Sequence, residues 1–194
     1  MDTATQALQR LTDWVKNDAL PFWAKCGRNP QGGGYEALLH DGTPDYQALR
    51  RVRVEARQAY AFAHASYLGW SEDAKKCARH FWEMLVDNGM AGAKNTLSDG
   101  YGGCAHLMNP DGSLNDPLRD TYAQAFVILA GAWQYRALGD EKALKTAKNT
   151  LKFLDQFMGA SNGGWFEGCP AHLPRRQNPH MHMFEALMTM FDVT

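Results

Sequence analysis

The chain has 194 residues, 45% of them apolar and 21% charged, and a formal net charge of −1. That is an ordinary globular composition with enough residues for a sizeable core, and its balance implies neither a nucleic acid nor an anionic membrane surface as partner. No apolar run approaches the roughly 20 residues needed to cross a bilayer, and polar, amphipathic Met1–Leu11 lacks the apolar centre of a signal peptide, so a cytoplasmic location is expected.

Six helical segments follow in chain order. The first runs from about Thr3 to Asn17, with Ala7, Leu8, Leu11, Trp14 and Val15 on one face. The second is predicted from Thr43-Pro44, a cap followed by proline at the first helical position, to about Leu68, ending near Gly69. Ser71 is predicted to cap the third, which stops around Asn88-Gly89. Asp116-Pro117 opens the fourth, which ends at Gly139. Asp140 caps the fifth, which ends near Gly159, and the sixth runs from Asn178-Pro179 to the end of the chain. Cys26, Cys77, Cys104 and Cys169 are widely spread without a C-x-x-C, and read as unpaired thiols rather than as a metal or disulfide framework.

Long glycine-aromatic loops separate the helices at Gly32-Gly33-Gly34-Tyr35-Glu36, Asp99-Gly100-Tyr101-Gly102-Gly103 and Gly163-Gly164-Trp165-Phe166-Glu167. Tyr35, Tyr101 and Trp165 recur at a spacing of about 65 residues. Between the loops lie helix pairs joined by short turns. Three antiparallel αα-hairpins with their long loops at one end suit a ring in which alternate helices line the inside and a site lies at the loop end. The expected fold is all-α, a half barrel of (α/α)6-toroid type, with residues 1–194 as a single domain. Ending at Thr194 straight after a helix leaves the faces of a half ring uncovered. Aromatic residues in the loops fit carbohydrate binding as well as core packing.

The second, fourth and sixth helices are the inner-layer candidates. Arg57 lies among Val54, Ala56, Ala59, Tyr60 and Phe62, so its guanidinium must face solvent or a polar cavity. Tyr122 and Gln124 point to different faces, so only one of them looks into a cavity. Asn178 and His182 are four apart and share a face. His180 and His182 are two apart, no H-x-x-x-H is present, and no metal is implied. His180 reads as structural and His182 as a neutral imidazole able to give or take a proton. Arg175 and Arg176 read as phosphate binders or, more plainly, as a polar loop before the helix cap. Asp99, Asp116 and Asp120 are the carboxylates a glycosidase would need, although Asp116 reads as a cap and Asp99 as a turn residue.

Three segments carry a resemblance to a known family. Asn178-Pro179-His180-Met181-His182-Met183-Phe184-Glu185-Ala186 resembles the N-x-H-x-H-x-x-E-A signature of the N-acylglucosamine 2-epimerase superfamily. Ala56-Arg57-Gln58-Ala59-Tyr60-Ala61-Phe62 resembles its A-R-Q-x-Y/W-x-F segment, and Asp120-Thr121-Tyr122-Ala123-Gln124-Ala125-Phe126 its D-x-Y-x-Q-A-F segment. The Arg-Arg-Gln-Asn-Pro-His-Met-His form is most similar to the bacterial mannose isomerase branch. The resemblance implies cofactor-free interconversion of monosaccharides: a proton beside an open-chain aldehyde is abstracted to give an enediolate, then returned to C1 for the ketose or to C2 for the epimer. Carried over, Arg57 stabilises the oxyanion, His182 contacts the sugar near the reacting carbons, and Asn178 and Tyr122 bind it. The favoured reaction is D-mannose to D-fructose, with 2-epimerisation of N-acylglucosamine or another sugar as the alternative. The resemblance also implies a chain of roughly double this length, with the acid–base histidine pair largely in the other half. Little or no turnover is therefore expected unless another chain supplies the remainder. The competing expectation is a non-catalytic sugar-binding module or a homodimer that completes the barrel.

Overall fold

The computed structural model describes residues 3–92 and 100–194. Helix α1 (Ala4–Trp14) opens with a reciprocal capping box between Thr3 and Gln6. It continues past the predicted end through a π-helical segment (Val15–Ala19), α2 (Leu20–Phe22) and a second π-helical segment (Trp23–Gly27). Pro21 lies inside this path and can donate no N–H. The widened turn before it, where the Leu20 N–H reaches back to Val15, accommodates that missing bond without ending the helix.

Two predicted helix starts move downstream, for one physical reason. Residues 43–49 do not open α3, which spans Val52–Tyr67. Pro44 instead bridges Leu38, the Asp45 side chain accepts from the Gln47 N–H, and Arg50–Arg51 form strand β1. Likewise α5 spans Thr121–Leu138 and is capped by Asp120, not Asp116. Asp116 ends β3 (Leu114–Asp116), which pairs with β2 (Leu107–Met108), itself paired with β1. Strand β4 (Arg119–Asp120) then pairs with β5 (Gly168–Cys169). Side-chain-to-backbone bonds and short strand ladders outcompete the helix at both places. The third helix also starts late: α4 spans Ala74–Met84 from Asp73, while Ser71 offers only its carbonyl to the Ala74 N–H, and a π-helical turn carries it to Gly89. Elsewhere the predicted stops hold. Gly139 is left-handed at φ 71° and Asp140 accepts from Lys142 and Ala143 to start α6 (Glu141–Phe157). Helix α7 spans Gln177–Val193.

Helices α3, α5 and α7 lie side by side as an inner layer, with α4 packed outside α3 and α6 outside α5. The repeat read in the sequence is a repeat in three dimensions. Each Gly-rich loop closes with an isolated bridge: Arg28 with Gly34, Met90 with Cys104, Gly159 with Trp165. In every case the second bridge residue donates its N–H to the fourth residue of the inner helix that follows. Gly34 donates to Glu55 at 3.0 Å, Cys104 to Gln124 at 2.9 Å and Trp165 to His180 Nε2 at 3.2 Å. His180 Nδ1 bonds the Arg176 carbonyl at 3.1 Å, so both its ring nitrogens are engaged.

Helix α5 is buried on all sides from Ala123 to Gln134, because it is flanked by α3 and α7 and backed by α6. Gly131 allows α6 to come close: a Cβ there would lie 2.7 Å from the Ala143 carbonyl oxygen and 3.0 Å from the Ala147 Cβ. Gly131→Ala should therefore destabilise the protein although alanine is the better helix former by about 1 kcal/mol, because overpacking a backbone contact costs about 1–3 kcal/mol. The check is a urea titration, in which an unchanged or raised midpoint would count against this packing.

Candidate active site

The threefold register places equivalent residues of the three inner helices in layers. The second residues are Arg53, Tyr122 and Asn178, and the sixth are Arg57, Phe126 and His182. The contacts follow the layers. The Arg53 guanidinium lies over the Tyr122 ring at 5.1 Å and that of Arg57 over Phe126 at 5.2 Å. The His182 ring is 4.8 Å from Phe126 and 4.9 Å from Tyr122. Deeper still, His64 stacks on Trp133 at 4.0 Å and Arg136 lies over the same tryptophan, so aromatic groups floor the inner face. Three of the four residues singled out from sequence, Arg57, Tyr122 and His182, thus converge on Phe126 through direct or shared ring contacts. Asn178 sits one layer up, in the loop-end cavity with Tyr122 and Arg57.

Two concave spaces meet at Arg57. One is a groove of about 1200 Å³ along the inner face, which includes His182, Glu185, Phe126 and Trp133. The other, of about 510 Å³, is the mouth among the loops. Arg57 makes no ion pair among the described residues and is exposed to both spaces. His182 Nδ1 lies 2.7 Å from the Glu185 carboxylate. An ionised carboxylate only accepts, so Nδ1 carries the proton, and in the neutral ring the Nε2 lone pair is left for a ligand. A cation and an imidazole packed against the same aromatic ring, the latter with an Nε2 that makes no hydrogen bond among the described residues, can polarise a carbonyl and shuttle a proton next to it.

Gln124 faces away from this space. It is fully buried and exchanges two bonds with the Cys104 backbone at 2.9 Å, which settles that Tyr122 is the member of the pair that looks inward.

Sequence reasoning missed His106 and Arg53. His106 Nδ1 donates to Asp120 at 2.6 Å, and Arg53 approaches the same carboxylate at 3.4 Å. No spacing rule ties His106, in a loop, to a helix cap fourteen residues on. Asp120 also accepts from the Ala123 N–H at 2.8 Å. It is therefore committed on every side, Asp116 accepts from the Leu118 N–H, and Asp99 lies outside the described residues. Burial pushes the Asp120 carboxyl up, but bonds from His106 and Ala123 and the charges of His106 and Arg53 outweigh it and hold it below the usual range. A carboxyl lowered in the folded state contributes stability above its unfolded value and loses it as pH falls through the folded one. Asp120→Asn should therefore cost about 1–3 kcal/mol at neutral pH and lose less stability than the parent below about pH 4. Parallel pH–denaturation curves for the two proteins would contradict that.

Among the described residues no group of three or more His, Cys, Asp or Glu is placed to hold a metal ion, and no helix is long and apolar enough to cross a membrane.

The architecture is that of the (α/α)6 toroids. The solved cellobiose 2-epimerase of Spirochaeta thermophila DSM 6192 superposes with a TM-score of 0.87 at 23% identity, over 98% of this chain and 49% of that one. The N-acylglucosamine 2-epimerase (GlcNAc 2-epimerase) family model matches residues 33–194, and the chain belongs to that family. It is 33% identical to the mannose-6-phosphate isomerase of Rhizobium meliloti (strain 1021) over 196 aligned positions, which cover all of this chain and 48% of that protein. It is 30% identical to the cellobiose 2-epimerase of Ruminococcus albus over 151 positions, 74% of this chain and 36% of the relative. The chain spans about half the length of these relatives, or less.

Proposed function

We propose that this chain forms one wall of the active site of a sugar aldose–ketose isomerase or 2-epimerase, with D-mannose to D-fructose as the favoured reaction. The observation that carries it is the Arg57–Phe126–His182 layer, in which a guanidinium with no ion pair among the described residues and an imidazole whose Nδ1 is held by Glu185 both pack against the Phe126 ring. Arg57 binds the carbonyl oxygen and stabilises the enediolate, His182 Nε2 meets the sugar beside the reacting carbons, and Tyr122 and Asn178 hold its hydroxyls. The names of the relatives, isomerase and 2-epimerase, share this reaction class. The deciding experiment incubates the protein with D-mannose in D2O and follows the C2 proton by NMR. Exchange with fructose formation supports isomerisation. Exchange with glucose formation supports epimerisation. A folded protein that neither binds nor exchanges the sugar sinks the proposal.

A second observation favours self-association. Phe184, Met188 and Phe191 form an exposed stripe on α7 at 65%, 50% and 85% exposure, and Leu8, Leu11 and Trp14 do the same on α1. An arc this apolar at its flanks, and half the length of its relatives, is completed in our reading by a second copy of itself. Light scattering should give twice 21.7 kDa, and Phe191→Asp should lower it to one. A monodisperse monomer of the parent chain would remove this reading.

A further inference from the structure

We infer that this half ring has a further activity, interconversion of the two anomers of an aldohexose, with His106 carrying the proton that opens and recloses the pyranose ring. It rests on the reading of the inner layer as a sugar site, but it uses a residue outside that layer.

His106 is fixed although it lies in a loop. Its N–H donates to the Asp116 carbonyl and its carbonyl accepts from the Val52 N–H, both at 3.1 Å, which ties the backbone between β3 and the first residue of α3. The imidazole Nδ1 lies 2.6 Å from Asp120, the cap of α5. The ring is therefore clamped between the starts of two inner helices. With its backbone committed, the side chain, 22% exposed, lines the mouth cavity beside Arg53, Arg57, Tyr122 and Asn178. An ionised carboxylate only accepts, so neutral His106 keeps its proton on Nδ1 and presents a lone pair at Nε2, which makes no hydrogen bond among the described residues. When Nε2 takes a proton, the positive charge that forms lies beside the Asp120 carboxylate. The mouth holds a second imidazole, His172, without that support. It is exposed, and its Nδ1 donates to the Pro170 carbonyl at 3.3 Å, which balances no charge.

The enediolate step needs an open chain, whereas an aldohexose in water is mainly a pyranose whose C1 carries both the O1 hydroxyl and the ring oxygen O5. Arg57 lines both spaces, so a C1 held against it can turn C2 towards His182 in the groove and O1 and O5 towards the mouth. His106 Nε2 then takes the O1 proton. The C1–O5 bond breaks with its electron pair going to O5, the C1=O1 bond forms, and Nε2 gives the proton to O5. Both oxygens sit on one carbon, so one nitrogen serves both. Reclosure on the other face of C1 gives the other anomer, nothing is oxidised or reduced, and the imidazole ends as it began.

The experiment dissolves crystalline α-D-mannose with the purified chain in D2O at neutral pH. Proton NMR follows the approach to anomeric equilibrium and the C2 proton in one sample. The parent chain should reach equilibrium faster than buffer does. His106→Asn should cut the protein-dependent rate by about 10²-fold or more, although its amide nitrogen can still donate to Asp120. Circular dichroism verifies the fold, and His172→Asn should leave most of the acceleration in place. Anomerisation no faster than in buffer overturns the inference, as does an acceleration that survives His106→Asn or is lost equally in His172→Asn. Faster anomerisation without C2 exchange leaves the inference standing and places the base for C2 outside these residues. Exchange at C2 with anomerisation at the buffer rate sinks the inference and leaves the isomerase reading intact.

Discussion

Glu55→Ala is expected to destabilise the protein by about 3–5 kcal/mol, the range for removing one member of a buried ion pair. Arg50 and Glu55 are only 5% and 3% exposed, and Glu55 accepts from Arg50 Nε at 3.0 Å as well as from the Gly34 N–H. Without Glu55 the guanidinium keeps two backbone carbonyls, Gly32 at 3.0 Å and Pro110 at 3.5 Å, neither of which neutralises it. The first Gly-rich loop also loses its latch to α3. The reverse substitution, Arg50→Met, should be milder, because a carboxyl can discharge itself by protonation and a guanidinium cannot. Burial already pushes the Glu55 carboxyl up to about 7 against the pull of Arg50 and the Gly34 N–H. A carboxyl raised in the folded state holds its proton beyond the unfolded value, so its contribution to stability falls as pH rises from about 4.5 towards 7. In Arg50→Met that fall should extend to higher pH. Urea midpoints of both variants across pH 5–8 check this, and equal losses that ignore pH would contradict the asymmetry.

The latch also shows where the sequence was legible and where it was not. The 65-residue spacing of Tyr35, Tyr101 and Trp165 was visible because glycines and aromatics stand out against helices, and it led to the ring of hairpins. What the spacing hid is that the fourth residue of each inner helix reaches back to the preceding loop, because the three residues there, Glu55, Gln124 and His180, share no chemistry. They share only an acceptor atom at one place. The late starts of α3 and α5 were illegible for a related reason. Thr43-Pro44 and Asp116-Pro117 are good helix starts locally, and only pairing with strands distant in sequence, β1 with β2 and β4 with β5, overrides them. Arg57 stood out because it lies among apolar residues, and His182 because it shares a helix face with Asn178 inside the segment that resembles the family signature. Arg53 and His106 did not, because both look like ordinary surface residues until Asp120 and Tyr122 are placed beside them.

In an assembly that exchanges the D-mannose C2 proton in D2O, whether this chain alone or completed by a second one, His182→Ala is expected to slow that exchange by about 10²–10⁴-fold, the contribution of a positioned general base. Arg57→Ala should cost about 10²–10³-fold by removing the cation at the developing oxyanion. Arg57→Lys should recover only part of that, since a flexible ammonium neither stacks on Phe126 at 5.2 Å nor presents paired donors. Glu185→Gln tests the arrangement differently. Its amide oxygen can still accept from His182 Nδ1–H and so preserve the tautomer, but the charge beside the ring is gone. Its loss should therefore be smaller than that of His182→Ala and appear in the rate rather than in sugar affinity, because Glu185 does not touch the mouth where Tyr122 and Asn178 sit. If the parent chain binds mannose without exchanging its proton, the base lies outside these 194 residues and His182 only contacts the sugar. If exchange occurs and survives His182→Ala, the proton goes to another group on the inner face, and the free nitrogen that Glu185 leaves on His182 has a different use.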